Sequence, residues 1–245
     1  MKEINIGICG LGTVAAGVLA VLQRNAEPIA SRAGRKVFVS HIGTRSTKPD
    51  LNTRGIKVSD DIFAVVNDPD VDIVVELIGG YEPALDLVMQ AIANGKHVVT
   101  ANKALIAVHG NAIFSAAEAK GVAVRYEAAV AGGIPIIKAL REGLSANKIE
   151  WLAGIINGTG NYILTEMRDK DRLFVDVLAD AQRLGYAEAD PTFDIEGIDA
   201  AHKLAILASL AFAMPLNFDA CFTEGISGVA PQDVSLASEL GYRIK

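Results

Sequence analysis

The stretch INIGICGLGTVAAGVLAVL, residues 4–22, runs from an apolar strand through glycines into a segment with helical apolar periodicity. Gly10 and Gly12 permit a tight turn and a close approach of the backbone to a pyrophosphate. The charge of that pyrophosphate would meet the exposed N–H groups of a helix that opens at Thr13 and Val14. Because the G-x-G-x-x-A pattern follows a strand and opens a helix, it predicts a dinucleotide-binding turn.

The first half of the chain alternates strand-like and helix-like patterns, as parallel sheets with helices on both faces do. Strands are predicted at Ile4–Cys9, Val37–Ile42, Ile73–Leu77, His97–Thr100 and Val122–Glu127. From about Pro135 the pattern changes to helices around one strand-like segment, Ile149–Ile156. We therefore predict an α/β fold, with a doubly wound parallel-sheet (Rossmann) domain over residues 1–134 followed by an α+β domain over residues 135–245.

The carboxyl ends of the predicted strands are expected to face the cofactor, because ligands bind at that edge of a doubly wound sheet. The second strand exits through HIGTRSTK, residues 41–48, where no carboxylate appears and Thr44 and Arg45 offer donors for a 2′-phosphate. We therefore expect NADP to be preferred, while NAD stays open because Arg45 could be a solvated loop cation. Thr100 in TANK is expected to border the nicotinamide, and Gly79 in ELIGG permits the backbone to pass close to the cofactor. Further donors close in sequence are Ser46, Lys48 and Lys57.

An acidic segment, GYAEADPTFDIEGIDAAHK at residues 185–203, holds five carboxylates and ends just before the apolar run LAILASLAFA. A helix would place Asp199 and Lys203 on one face, where the carboxylate helps to keep the ammonium charged. Such a pair can hand a proton to a substrate oxygen. The alternative is a solvated ion pair worth about 0.3–0.5 kcal/mol, and the carboxylates around Pro191 could equally form a solvated turn.

The composition excludes several classes of protein. The chain has 245 residues, of which 51% are hydrophobic, and a formal net charge of −6 without a cluster of Lys and Arg, which argues against nucleic acid as a partner. No apolar stretch reaches the ~20 residues of a membrane-spanning helix, and no leader precedes the first strand, so we expect a cytoplasmic protein with no membrane partner. Cys9 and Cys221 give neither a disulfide framework nor metal-ligand spacing.

Long motifs along the whole chain resemble those of homoserine dehydrogenase: GICGLGTVAAGV, ELIGG, TANKALIA, YEAAVAGGIPII, NGTGNYILTEM and GYAEADPTFDIEGIDAAHKLAILA. The resemblance implies NAD(P)-dependent interconversion of L-aspartate 4-semialdehyde and L-homoserine, on the route to threonine, methionine and isoleucine. It also implies that the second domain binds the small-molecule substrate and forms a homodimer through the region around residues 151–157.

The resemblance also assigns roles to matching residues. It makes Lys203 the proton donor or acceptor at the substrate oxygen and Asp199 its partner. Lys103, in TANK, matches a second active-site lysine near the nicotinamide. The positions that match substrate-binding residues are Glu188, Asp194, Gly158 and Thr159.

A sodium ion is implied in the glycine-rich segment after the fifth strand. Its ligands would be the carboxylate of Glu127 and the backbone carbonyls of Val130, Gly132 and Ile134.

Family members extend past residue 245 and often carry a threonine-sensing regulatory domain of the ACT type. We therefore expect a C-terminally truncated catalytic region without feedback inhibition.

Other functions stay open. A thioester-forming aldehyde dehydrogenase needs a nucleophilic cysteine, whereas Cys9 lies in a predicted strand and Cys221 has no evident base beside it. An NADP-binding sensor would bind the dinucleotide without turnover. Another amino-acid-pathway reductase could share the N-terminal fold, but it would not explain the NGTG and GYAEADP segments.

Overall fold

The computed structural model describes residues 3–46 and 51–245. The chain divides into two compact units between Gly143 and Leu144. The domain boundary predicted after residue 134 falls inside the first unit and stays a prediction. Among the described helices, none is both long and apolar enough to cross a membrane.

The first unit contains a parallel sheet. Its strands are β1 Ile4–Cys9, β2 Val37–Gly43, β3 Lys57–Ser59, β4 Ile73–Glu76, β5 His97–Thr100 and β6 Val124–Arg125. They lie in the order β3-β2-β1-β4-β5-β6, so the chain winds outward from β1 in both directions and the predicted doubly wound fold is confirmed. The register places Gly43, Cys9, Glu76 and Thr100 level with one another at the carboxyl edge of the sheet.

Helices alternate with these strands. They are α1 Thr13–Arg24, α2 Ala26–Ala33, α3 Ile62–Val66, α4 Ala84–Ala93, α5 Lys103–Lys120 and α6 Ile136–Lys138, the last continuing into a π-helical segment, Ala139–Gly143. Helix α1 packs on the sheet through Ala15 and Leu19, in one apolar cluster with Ile8 of β1 and Ile42 of β2. The turn before α1 requires glycine at Gly10, where φ is +95° and a Cβ would lie 2.7 Å from the Leu77 carbonyl oxygen.

A polar cluster packs against β2. The carboxylate of Asp68 lies 2.8 Å from Nδ1 of the buried His41 and 3.2 Å from Nζ of Lys57. Burial alone would raise the pKa of Asp68, but hydrogen bonds from the Asp70 backbone, Lys57 and His41 outweigh it and hold this pKa below its usual range. The cluster therefore engages Lys57, one of the cations considered for a 2′-phosphate.

The second unit is helical. Its helices are α7 Gly158–Lys170, α8 Phe174–Arg183, α9 Thr192–Ile195, α10 Ile198–Phe212 and α11 Pro231–Glu239. The apolar faces of α7, α8 and α11 meet in a cluster formed by Ile163, Met167, Val177, Ala181, Ala187 and Val234.

The strand predicted over Ile149–Ile156 is not formed, so the second unit has no sheet and differs from the α+β prediction. The alternation of residues in this segment is strand-like, but a strand also needs a partner for its backbone N–H and C=O groups. Among residues 144–245, which are all described, none forms a ladder with it. Trp151 and Ile155 are 76% and 59% exposed, so the segment gains no burial that would fix a register.

Candidate active site

A crevice of about 730 Å³ opens at the carboxyl edge of the sheet in the first unit. The turn residues Gly10 and Gly12 line it, and a Cβ added at Gly12 would meet nothing within 4 Å, which leaves the space that a pyrophosphate needs. The crevice also takes in Thr44, Arg45 and Gly79, so it joins five of the residues predicted to bind the dinucleotide.

Carboxylates also line this crevice, although they are not close to Arg45 in sequence. Asp60 and Asp61, from the segment between β3 and α3, share its wall with Arg45. Asp61 accepts a hydrogen bond from the Phe63 N–H at 2.8 Å and so caps α3. Lys48 lies outside the described residues. The choice between a 2′-phosphate and a 2′-hydroxyl thus depends on the balance between Arg45 and the neighbouring carboxylates.

The other predicted cofactor residues do not line the crevice. Thr13 is the first residue of α1, and Val14 after it is 57% exposed. Thr100 ends β5 and is buried, and Lys103 begins α5. Their roles stay predictions.

Glu76, a residue missed in the sequence analysis, connects the ELIGG and TANK loops. Its fully buried carboxylate accepts the backbone N–H groups of Ile78 at 2.7 Å and Gly79 at 3.1 Å, and the hydroxyl of Thr100 at 2.5 Å. The sequence did show a charged residue at the end of an apolar strand. Such a residue is rarely buried unless its charge is paired or hydrogen-bonded.

The same network continues to the start of α5. The Thr100 hydroxyl oxygen accepts the Asn102 N–H at 2.9 Å, and the Asn102 side chain donates to the Gly80 carbonyl at 2.6 Å. The side-chain oxygen of Asn102 also accepts the Leu105 N–H at 3.1 Å and caps α5. Lys103, the first residue of α5, is therefore held on a fixed backbone.

A second cavity of about 640 Å³, in the second unit, is lined by Asp194, Asp199, Lys203, Gly158 and Thr159 among others. All five of these residues were predicted to lie at one site. Lys203 Nζ donates to Asp199 Oδ2 at 2.6 Å and to the Ile156 carbonyl at 2.8 Å, which uses two of its three N–H groups.

The environment of this ion pair distinguishes it from a solvated one. The side chains of Asp199 and Lys203 are 7% and 18% exposed. Asp199 lies in the first turn of α10, where the helix dipole favours a negative charge. Screening by water is therefore weaker than for an exposed pair, and the ammonium is held in one position.

Asp194 is the second carboxylate of the cavity. Its Oδ1 accepts the side-chain N–H of Asn157 at 2.7 Å, and its Oδ2 lies 3.1 Å from the hydroxyl oxygen of Thr159. The Thr159 hydroxyl is also 2.8 Å from the Tyr186 carbonyl, so its single proton is shared between two acceptors. Asn157 was not among the predicted site residues.

The other acidic residues of the segment lie elsewhere. Glu188 is exposed and does not line the cavity, so its role stays a prediction. Asp190 accepts hydrogen bonds from the hydroxyl and backbone N–H of Thr192, at 2.6 and 3.1 Å, which hold its pKa below the usual range. For Asp190, the solvated turn is the better interpretation.

The segment expected to hold sodium follows β6. Both oxygens of Glu127 accept backbone N–H groups, from Ile137 at 3.0 Å and Lys138 at 2.9 Å. Between Glu127 and Ile137 the backbone has positive φ angles at Ala131 (52°) and Gly133 (84°). A carboxylate with backbone carbonyls is the hard oxygen chemistry that suits such an ion. Among the described residues, no group of three or more His, Cys, Asp or Glu could hold a metal ion.

The two cysteines are poor nucleophiles. Burial, and to a lesser extent the charges of Glu76 and Asp61, raise the pKa of Cys9 to about 12. Burial also raises the pKa of Cys221. A thioester mechanism therefore has no support in this chain.

Comparisons with known proteins assign both parts of the chain to one family. A family model described as "Homoserine dehydrogenase, NAD binding domain" matches residues 10–127, and one described as "Homoserine dehydrogenase" matches residues 135–245. The homoserine dehydrogenase of Pseudomonas aeruginosa is 66% identical over 245 residues, which are 100% of this chain and 56% of that protein.

Solved structures give the same result. The crystal structure of a homoserine dehydrogenase from Thiobacillus denitrificans is 65% identical, with a TM-score of 0.96 over 100% of this chain and 57% of that one. A hyperthermophilic archaeal homoserine dehydrogenase in complex with NADPH is 25% identical, with a TM-score of 0.79 over 93% of this chain and 75% of that one. The chain spans little more than half the length of its curated relatives, for example 56% and 57% of the first two.

Proposed function

The chain belongs to the homoserine dehydrogenase family, and from this premise we propose that the protein interconverts L-aspartate 4-semialdehyde and L-homoserine with a nicotinamide dinucleotide. The reaction is a step in the biosynthesis of threonine, methionine and isoleucine. The observation that carries the proposal is the partly buried Lys203–Asp199 pair in an acidic cavity.

The chemistry needs one proton for each hydride. When bound, the reduced nicotinamide supplies the hydride that goes to the aldehyde carbon, and negative charge then develops on the aldehyde oxygen. Lys203 directs two N–H groups to Asp199 and Ile156, and the third is the proton source at that oxygen. In the reverse direction the neutral amine of Lys203 takes the hydroxyl proton of homoserine.

The cavity also suits an amino-acid substrate. Asp194 and Asp199 outnumber Lys203, so a substrate ammonium finds net negative charge there. Gly158 and Thr159 at the start of α7 shape the same wall, and Glu188 is proposed as a further substrate carboxylate on family grounds. Lys103 is proposed as the second active-site lysine on the same grounds.

NADP is the proposed cofactor, with NAD as the weaker one. Thr44 and Arg45 line the crevice at the exit of β2, where a 2′-phosphate would bind. A related archaeal enzyme carries NADPH. The nearby Asp60 and Asp61 keep NAD open, because a carboxylate can accept a ribose hydroxyl.

Further properties are proposed from the family. Glu127 with the carbonyls of Val130, Gly132 and Ile134 would bind a sodium ion that orders the loop before α6. The extended segment at residues 151–157 would contribute to a homodimer, and the protein would act in the cytoplasm.

The test is NADPH oxidation with L-aspartate 4-semialdehyde, repeated with NADH. Lys203→Ala should lower kcat by roughly 100- to 10,000-fold, the usual contribution of a general acid. The control is Lys170→Ala, which removes an exposed lysine that pairs with Glu166 four residues earlier, and it should leave kcat unchanged. A chain that binds NADPH tightly without turnover would instead support the sensor alternative.

A further inference from the structure

We infer that Asn157 is a positioning residue that holds the carboxylates of Asp194 and Asp199, and through Asp199 the ammonium of Lys203. The inference rests on the proposed function, because it assigns the role of this asparagine in the same cavity. Asn157 precedes α7 and is half-buried at the cavity wall.

The orientation of the Asn157 amide is fixed by its oxygen. That oxygen accepts the Gly160 N–H at 2.8 Å, the capping bond at the start of α7. A carboxamide carries an acceptor at one end and two donors at the other. Because the acceptor faces the helix, both donors face the cavity.

Each donor contacts a different carboxylate. Asn157 Nδ2 lies 2.7 Å from Asp194 Oδ1 and 3.0 Å from Asp199 Oδ2. The same Asp199 oxygen accepts Lys203 Nζ at 2.6 Å. Asn157 thus links two carboxylates that would otherwise repel each other. It is connected to Lys203 through Asp199 Oδ2, which accepts hydrogen bonds from both side chains.

Helix capping alone does not explain this residue. Serine and aspartate cap helices about as well as asparagine does. Serine would have no second donor for the carboxylates, and aspartate would direct a third negative oxygen at Asp194 and Asp199. Among the residues with a short capping side chain, only asparagine offers a neutral double donor.

Substitutions at Asn157 can separate a capping role from a positioning role. Asn157→Ser and Asn157→Asp keep the cap and remove the donors, whereas Asn157→Ala removes both. The matched control is Asn217→Ser, since Asn217 also caps a helical turn, through the Ala220 N–H at 3.2 Å, and does not line the cavity.

The measurements are kcat and KM for L-aspartate 4-semialdehyde together with the thermal unfolding midpoint. Asn157→Ser should lower kcat/KM by about 10- to 100-fold, the effect of losing hydrogen bonds to charged groups. Asn157→Asp should lower it further, and Asn157→Ser should unfold at a higher temperature than Asn157→Ala, because only the serine keeps the cap. Asn217→Ser should leave kcat and KM unchanged.

The outcomes separate this inference from the proposed function. An inactive parent chain contradicts the proposed function, whereas an active parent with Asn157→Ser within about twofold in kcat and KM contradicts the positioning role. A crystal structure of Asn157→Ser decides independently of turnover. It should show Asp194 and Asp199 moved apart, and carboxylates that keep their positions would overturn the inference.

Discussion

Replacing Glu76 with glutamine perturbs the connection between two loops of the nucleotide crevice without changing its shape. The carboxylate accepts three donors, from Ile78, Gly79 and Thr100, and is 0% exposed. Glutamine keeps one acceptor oxygen for the two N–H groups but presents a donor to the Thr100 hydroxyl. The Thr100 hydroxyl oxygen, which already accepts the Asn102 N–H, would then also accept from the glutamine amide. The hydroxyl proton of Thr100 would lose the acceptor that the carboxylate provides.

The expected size of the effect follows from these contacts. Hydrogen bonds to a charged group contribute about 1.5–3 kcal/mol and those to a neutral group about 0.5–1.5, so the two retained bonds weaken by roughly 1 kcal/mol each. At the Thr100 hydroxyl the donor and acceptor roles are reversed, which adds a loss of similar size. Removing a buried charge recovers part of this, because the desolvation penalty of the carboxylate disappears. We therefore expect Glu76→Gln to lower the free energy of unfolding by about 1–3 kcal/mol.

The assay is urea unfolding followed by far-UV circular dichroism, with and without NADPH. Trp151, the single tryptophan, is 76% exposed in the folded chain, so circular dichroism rather than fluorescence is the readout. Glu118→Gln, on the exposed face of α5, is the matched control. NADPH should also bind more weakly to Glu76→Gln, because Gly79 borders the crevice.

A double-mutant cycle with Thr100→Val isolates the contact between the two strand ends. Residues in one hydrogen-bond network couple by about 0.5–3 kcal/mol, so the combined loss should be smaller than the sum of the two single losses. Additive losses, or a Glu76→Gln chain as stable as Glu118→Gln, would refute the reasoning.

Two further predictions concern groups outside the proposed chemistry. Thiol-blocking reagents should leave NADPH oxidation unchanged in a rate assay, because burial raises the pKa of Cys9 to about 12 and also raises that of Cys221; loss of activity parallel to alkylation would contradict this. Asp68 has a lowered folded-state pKa, so its stabilisation is present above the unfolded value of about 3.9 and is lost as pH falls through the lower folded value. Asp68→Asn should therefore flatten the loss of unfolding free energy below about pH 4 in urea titrations, and an unchanged slope would count against the network.

The fold was predictable where local sequence determines it. The strands β1, β2, β4 and β5 are rich in apolar residues, and this pattern is typical of parallel sheets. β3 escaped prediction because three residues, Lys57–Ser59, are too few to show a period. Helix α5 begins at Lys103, since Asn102 caps it by accepting the Leu105 N–H. That capping signal was present in the TANK motif.

The candidate active site was predictable only where its contacts are local in sequence. Asp199 and Lys203 are a helical i,i+4 pair, so their contact is local and was foreseen. Asn157 meets Asp194 and Asp199 from 37 and 42 residues away, and no spacing rule gives such contacts. Glu76 looked like the end of a strand before two glycines. Its contacts depend on the register of β4 and β5, which pairs Glu76 with Thr100.

The choice of a neutral donor at Asn157 follows from what the cavity must bind. Two carboxylates, Asp194 and Asp199, have to lie close together before an ammonium arrives, and their repulsion would otherwise separate them or protonate one of them. A lysine or arginine at this position would add a positive charge and cancel the negative charge that would attract the proposed substrate. An amide satisfies the oxygens with hydrogen bonds and leaves the net charge of the cavity unchanged. The cavity can thus be both ordered in advance and attractive to a cation, as the proposed proton transfer at Lys203 requires.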